Sequence, residues 1–138
     1  MAVAWAVLHE LRHIRHQHEG TGADPHANDA KANHEEEFSC DAFATRFLLE
    51  GIDAYGVLTG EAVEQVRRKR QLGIHFGLFA VALLAKDKWA ASNSHPSVQS
   101  RIDAVRALMV PSSDMATAMA HAAFAALRTI WPGAPRSP

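Results

Sequence analysis

Two histidines four residues apart, His9 and His13, set the tightest constraint on what this chain can fold into. Residues i and i+4 stack on one side of an α-helix, with Cβ atoms about 5–6 Å apart. A shared task for the pair therefore demands a helix around it. The neighbours agree: Val7, Leu11 and Ile14 recur at steps of four and three, and a first helix is expected from Ala2 to about His18. Alanine occupies 26 of the 138 positions and favours helix along the whole chain. No stretch reads convincingly as a strand, so the expected fold class is all-α, with about five helices.

The rest of the chain divides at its turn residues. Residues 19–33 are rich in Gly, Asp, Asn and Ala and read as a loop, with His26 beside Pro25. A second helix is expected from about His34 to Glu50 or a little beyond, its acidic opening Glu35 to Glu37 suiting the positive end of the helix dipole. A third, longer helix spans about Gly60 to Lys88, basic at first (Arg67 to Arg70) and then apolar, with Gly73 or Gly77 as places to bend. A loop through His95 leads to Pro96 and a fourth helix over about Ser97 to Val110. Pro111 stops it, and Ser112 or Ser113 caps a fifth, alanine-rich helix to about Trp131. One domain over 1–131 and a disordered tail over 132–138 are the expected organisation.

The bulk numbers exclude several classes of function. Fourteen Lys and Arg stand against 15 Asp and Glu, so a general nucleic-acid binder, which would carry a basic surplus, is not expected. The longest apolar run, Gly73 to Ala85, contains a histidine and falls short of the roughly 17–25 residues a membrane span needs. The single cysteine, Cys40, forbids an intramolecular disulfide and fits a reducing compartment. The start of the chain lacks the basic leader of a signal peptide. A cytoplasmic location follows as the expectation.

The chemistry lies in the order of the polar residues. His9-Glu10-Leu11-Arg12-His13 is an H-E-x-x-H sequence. At i,i+4 two imidazoles can converge on one Zn²⁺, at about 2.0–2.1 Å from each nitrogen. Glu10 then lies beside the metal, where it can take a proton from an attacking water. Two protein ligands hold zinc weakly, so a third is expected elsewhere. Glu37, 24 residues after His13, is reached by leaving the first helix, crossing a loop and returning antiparallel. Glu35 and Glu36 compete for this role, but only Glu37 has an aspartate, Asp41, one turn further on its own face. Asp41 can accept a hydrogen bond from the outer nitrogen of a ligand histidine. Phe38, Cys40, Phe43, Ala44 and Phe47 suggest that this turn is packed, where an unpaired carboxylate would be costly.

H-E-x-x-H followed by E-x-x-x-D resembles the gluzincin metallopeptidases. Glu37-Phe38-Ser39-Cys40-Asp41-Ala42-Phe43-Ala44 resembles the E-x-x-A-D-x-x-A signature of the HtpX and CAAX-prenyl-protease group, with Cys40 where alanine is usual. The downstream H-P-P-x-x-x-R of that group resembles His95-Pro96-Ser97-Val98-Gln99-Ser100-Arg101, with Ser97 in place of the second proline. The membrane helices of that group are absent, and the overall pattern is also similar to the soluble phage-exclusion Lit-type peptidases, which cut a host translation factor. The resemblance implies a zinc metalloendopeptidase acting on a protein or peptide substrate. It implies His9, His13 and Glu37 as metal ligands, Glu10 as catalytic base and Asp41 as support. It also implies that His95 stabilises the oxyanion and that Arg101 braces the Glu37 side. From the residues alone, His95 and Arg101 read equally as exposed side chains.

Other features have plainer readings. His16 and His18 lie off the His13 face and are expected in solvent, His34 is a candidate cap, His75 a satisfied core histidine and His121 an exposed helical one. Arg67 to Arg70 read as a solvated face, and Cys40 as a buried thiol. One physical objection stands against a complete enzyme. Peptidases usually hold substrate as an added strand on a sheet edge, and none is expected here. The chain is thus read as a shortened piece of a longer peptidase, or as one whose cleft a partner chain completes, or else as a catalytically incomplete metal-binding remnant serving as an interaction module.

Overall fold

A computed structural model describes residues 1–24 and 26–136. Six α-helices follow one another: α1 (Ala2–Glu19), α2 (Ala30–Leu49), α3 (Ile52–Thr59), α4 (Val63–Ala85), α5 (Val98–Leu108) and α6 (Asp114–Ile130). Among the described residues there is no strand, as the all-α expectation required. Among the described residues no helix is long and apolar enough to cross a membrane.

Boundaries shift where capping chemistry overrides periodicity. Asp29, not His34, caps α2: its carboxylate accepts from the backbone N–H groups of Lys31 and Ala32, so the helix starts four residues before His34. The Glu35–Glu37 run is thereby moved off the helix end. Gly51 and Gly60 both hold positive φ, at 65° and 72°, and bracket the short α3, an extra helix between the expected second and third. Ser97 caps α5 through its hydroxyl, which accepts from the Ser100 N–H.

Helix α4 lies at the centre, touching α1, α2, α3, α5 and α6. Ile74, Leu78 and Ala82 on its buried side meet Trp5 of α1, Ile102 and Val105 of α5, and Phe124 of α6 in one core. Phe79 and Phe124 meet edge to face, with ring centroids 5.4 Å apart. Helix α4 runs unbroken through both of its glycines. A Cβ on Gly77 would lie 2.9 Å from the Trp5 ring, so the missing side chain lets α1 approach closely. The last residues are not all loose: Ala134 is buried and the Arg136 N–H donates to Gln99. Residues 137 and 138, the end of the expected disordered tail, lie outside the described residues.

Packing of α1 reverses what its sequence suggests. Val7, Leu11 and Ile14 are all at least half exposed, at 51%, 50% and 59%, while Trp5, His9 and His16 are buried against the fold. The inward row is polar because the facing surface of α2 carries carboxylates and hydroxyls. Much of the α1 pairing with α2 is therefore hydrogen bonding. Trp5 Nε1 donates to Thr45 Oγ1 at 3.0 Å, and His16 bonds both Thr21 and Ser39, at 2.8 and 3.1 Å. His16 is thus no solvated bystander. Burial, with help from the Arg12 charge, lowers its pKa.

Candidate metal centre

Helix α1 presents His9 and His13 to the middle of α2, where Glu37 and Asp41 face them one turn apart. His9 Nε2 and His13 Nε2 are 3.1 Å apart. Glu37 completes a triangle, with Oε2 at 3.6 Å from His9 Nε2 and Oε1 at 3.4 Å from His13 Nε2. For metal bonds of 2.0–2.1 Å, neighbouring ligands of a tetrahedron stand about 3.3–3.4 Å apart. The three observed separations bracket that value. His9, His13 and Glu37 form a possible metal-binding group.

The tautomers argue the same way. His13 Nδ1 lies 2.6 Å from Glu36 Oε1, and His9 Nδ1 lies 3.0 Å from Asp41 Oδ1. A carboxylate only accepts, so the His13 Nδ1 bonded to Glu36 carries the proton and, in a neutral ring, His13 Nε2 keeps a lone pair. That lone pair and the Glu37 carboxylate then converge on one spot, with His9 Nε2 beside them. Glu37 Oε2 is buried without a hydrogen bond, although the Arg101 guanidinium is 3.1 Å away. The His9 contact to Asp41 is close without hydrogen-bond alignment, so His9 Nδ1 is likewise buried without a hydrogen bond. Three carboxyl groups (Glu36, Glu37, Asp41) against one guanidinium (Arg101) leave a formal excess of two negative charges. A divalent cation would meet both the donor geometry and this charge.

Arg101 enters from α5, sixty residues beyond Asp41, and grips it in a fork: Nε to Oδ2 at 2.8 Å and Nη2 to Oδ1 at 2.7 Å. Burial pushes the Asp41 carboxyl upward, but the close His9 ring and the Arg101 fork outweigh it and hold its pKa below the usual carboxylate value. At 7% exposure Arg101 is no solvent-facing arginine. Asp41 is thus the hub between α1, α2 and α5.

Glu36, a competitor for the ligand role in the sequence, is a working part of this cluster behind His13. One oxygen meets His13 and the other accepts the Ala23 N–H at 2.5 Å, so the loop after α1 is tied to α2 through it. Burial acts to raise its pKa, and the bonds from His13 and Ala23 more than offset that. A second potential group, His13 with Glu36 and Cys40, shares these atoms. There burial, reinforced by the neighbouring carboxylates, pushes the Cys40 thiol up to about 12, so the thiol keeps its proton unless an ion displaces it. Trp5 was also missed. Its ring stacks on His9, centroids 5.8 Å apart and 27° between planes, and forms an apolar back wall. The signal was present, since Trp5 stands at i−4 from His9.

His95 comes from the loop before α5 and brings Nε2 to 3.4 Å from Glu37 Oε1, with its side chain 59% exposed. That loop is fastened to the start of α2: Asn33 Nδ2 donates to the Asn93 carbonyl at 2.9 Å, and His34 Nε2 to the Ser92 carbonyl at 2.7 Å. His34 is therefore an anchor for the loop. Glu10 is exposed and has no hydrogen-bond or ion-pair partner among the described residues. It is seven residues before Gln17, so the two point within about 20° of each other around the helix. Gln17 lines a cavity of about 300 Å³ together with His13, Glu37, Asn33 and Ser94. Glu10 accordingly lies on the flank of α1 where the cluster opens outward. Comparison with known proteins assigns a family: residues 1–124 match the family model described as Peptidase U49. No curated protein and no solved structure matches the chain.

Proposed function

This chain belongs to the Peptidase U49 family, which implies a peptidase, and we propose that it is a zinc-dependent endopeptidase hydrolysing peptide bonds of a protein substrate. The observation that carries the metal reading is the spacing of His9, His13 and Glu37 at tetrahedral edge lengths, with a carboxylate behind each imidazole. His9, His13 and Glu37 would hold the ion. When bound, zinc supplies Lewis acidity, polarising the scissile carbonyl and making water easier to deprotonate. The cut host protein and the role in phage exclusion implied by the Lit-type resemblance are carried by that resemblance alone.

The remaining steps fall to side chains of this chain. Glu10, on the open flank of α1, takes a proton from the attacking water and delivers it to the leaving amine. His95, exposed beside Glu37, donates a hydrogen bond to the oxyanion that forms on the scissile carbonyl. Asp41 and Glu36 fix the ring orientation and tautomer of His9 and His13. Arg101 holds Asp41 and Glu37 in place.

Metal analysis of the purified protein, paired with cleavage of a casein-type substrate by wild type and Glu10→Gln, tests this. One bound zinc in both proteins and cleavage only by wild type is the expected result. Metal-free protein, or a Glu10→Gln variant as active as wild type, would overturn the mechanism. Bound zinc with cleavage by neither protein would leave the interaction-module reading in its place.

A further inference from the structure

The seam between α1 and α2 has a second flank, turned away from the Gln17 cavity. A groove of about 350 Å³ runs there, lined by Arg12 and Arg15 of α1 and by Phe43, Arg46, Phe47 and Glu50 at the α2 side. Its charges are unevenly matched. Arg12 and Arg15 share one carboxylate, Glu19, at 3.6 and 2.6 Å. The exposed Arg46 guanidinium has no hydrogen-bond or ion-pair partner among the described residues. Three guanidiniums thus stand against the carboxylates of Glu19 and Glu50.

The groove is also apolar. Phe43 and Phe47 lie with ring centroids 6.1 Å apart, and Phe47 is 56% exposed. The Arg12 guanidinium sits 5.8 Å over the Phe43 ring, which holds that side chain against the wall. Val7, Leu11 and Arg15 form an i,i+4 row on α1, so the exposed apolar row leads directly into the groove. Cationic edge, aromatic floor and adjoining aliphatic row make one continuous face.

We propose that this groove is a docking site for an acidic polypeptide segment with apolar anchors. Its carboxylates would pair with Arg46 and the Arg15 edge while an apolar side chain covers Phe47. One guanidinium in excess orients a carboxylate but is too little for a phosphate backbone, whose binding depends on neutralising many charges. The apolar area supplies what a polyanion would not use. The proposal does not rest on hydrolysis, because α1 separates the groove from the cavity beside the metal cluster.

Fluorescence anisotropy tests it with a labelled peptide of Glu and Leu at helical spacing and a twin carrying Lys for Glu. Wild type is expected to bind the Glu peptide about tenfold more tightly than the Lys twin, with affinity falling as salt rises. Arg46→Glu should reverse the preference, and Phe47→Ala should weaken the Glu peptide about tenfold. Both positions are exposed, and circular dichroism checks that the variants keep their helices. Failure to bind the Glu peptide, binding blind to charge, or variants that match wild type would each overturn the proposal. So would tighter Arg46-dependent binding of oligothymidylate or of phosphatidylserine vesicles than of the acidic peptide.

Discussion

Each proposed ligand histidine has a carboxylate behind it, and the two carboxylates are bound differently. Asp41 is locked by the Arg101 fork, whereas Glu36 is held by His13 and by one backbone N–H of a loop. Glu36→Gln should therefore spare the fold and lower zinc affinity by about 10–100-fold, read by competition with a chromogenic chelator. Unchanged affinity would show that the Glu36 contact is incidental. Cys40, fully buried with its thiol raised to about 12, should resist a thiol reagent in the folded protein and react quickly in denaturant. Asp41 was legible in the sequence because its relation to Glu37 is local, one helical turn. Glu36 was not, because its role depends on the loop after α1 folding back to offer the Ala23 N–H. No spacing rule reports such a return.

Helix α1 shows why one element could be recognised and still be turned the wrong way. Its apolar residues at 7, 11 and 14 outline a helix correctly, but hydrophobicity alone puts them inside. Hydrogen bonds with α2 turn the row Trp5, His9 and His16 inward instead. Close approach to α4 then fixes α1 at depth, and Gly77 is the residue that permits it. Gly77→Ala gains helix propensity but drives a methyl group against the Trp5 ring. We expect a net loss of about 1–2 kcal/mol in urea denaturation, with a drop in zinc affinity because Trp5 backs His9. A stabilised variant with normal zinc binding would mean that the α1–α4 seam is slack. Arg101→Met is the harsher change across elements. It leaves Asp41 and Glu37 buried without their cation and should cost about 3–5 kcal/mol by the same measurement. The pairing of Arg101 with Asp41 spans sixty residues, and only its place in a resembling motif hinted at it.

At the scale of the whole molecule, a histidine in the core titrates against the fold. His75 sits on α4 at 5% exposure with its Nδ1 unsatisfied, so the sequence reading found its burial but not its lack of a partner. Burial first, then the charges of His121 on α6 and Arg106 on α5, lower its pKa from 6.5 to about 4. The folded state thus refuses a proton that the unfolded chain accepts between those values, and stability must fall as pH drops from about 6.5 to about 4. The full depression corresponds to at most about 3 kcal/mol. Carboxylates add to acid sensitivity lower down: Glu36 and Asp41 have folded values below normal, so their contribution persists until pH falls through the ordinary carboxylate range. His16, also depressed, gives a slope of the same sign in the upper window, so wild type alone does not isolate His75. His75→Leu does, since it removes the proton site and keeps a core-sized side chain. Urea denaturation from neutral pH to about pH 4.5 should show wild type losing more stability than His75→Leu, with the gap widening as pH falls. Parallel curves would mean that water or a rotated ring already satisfies His75 in the folded protein.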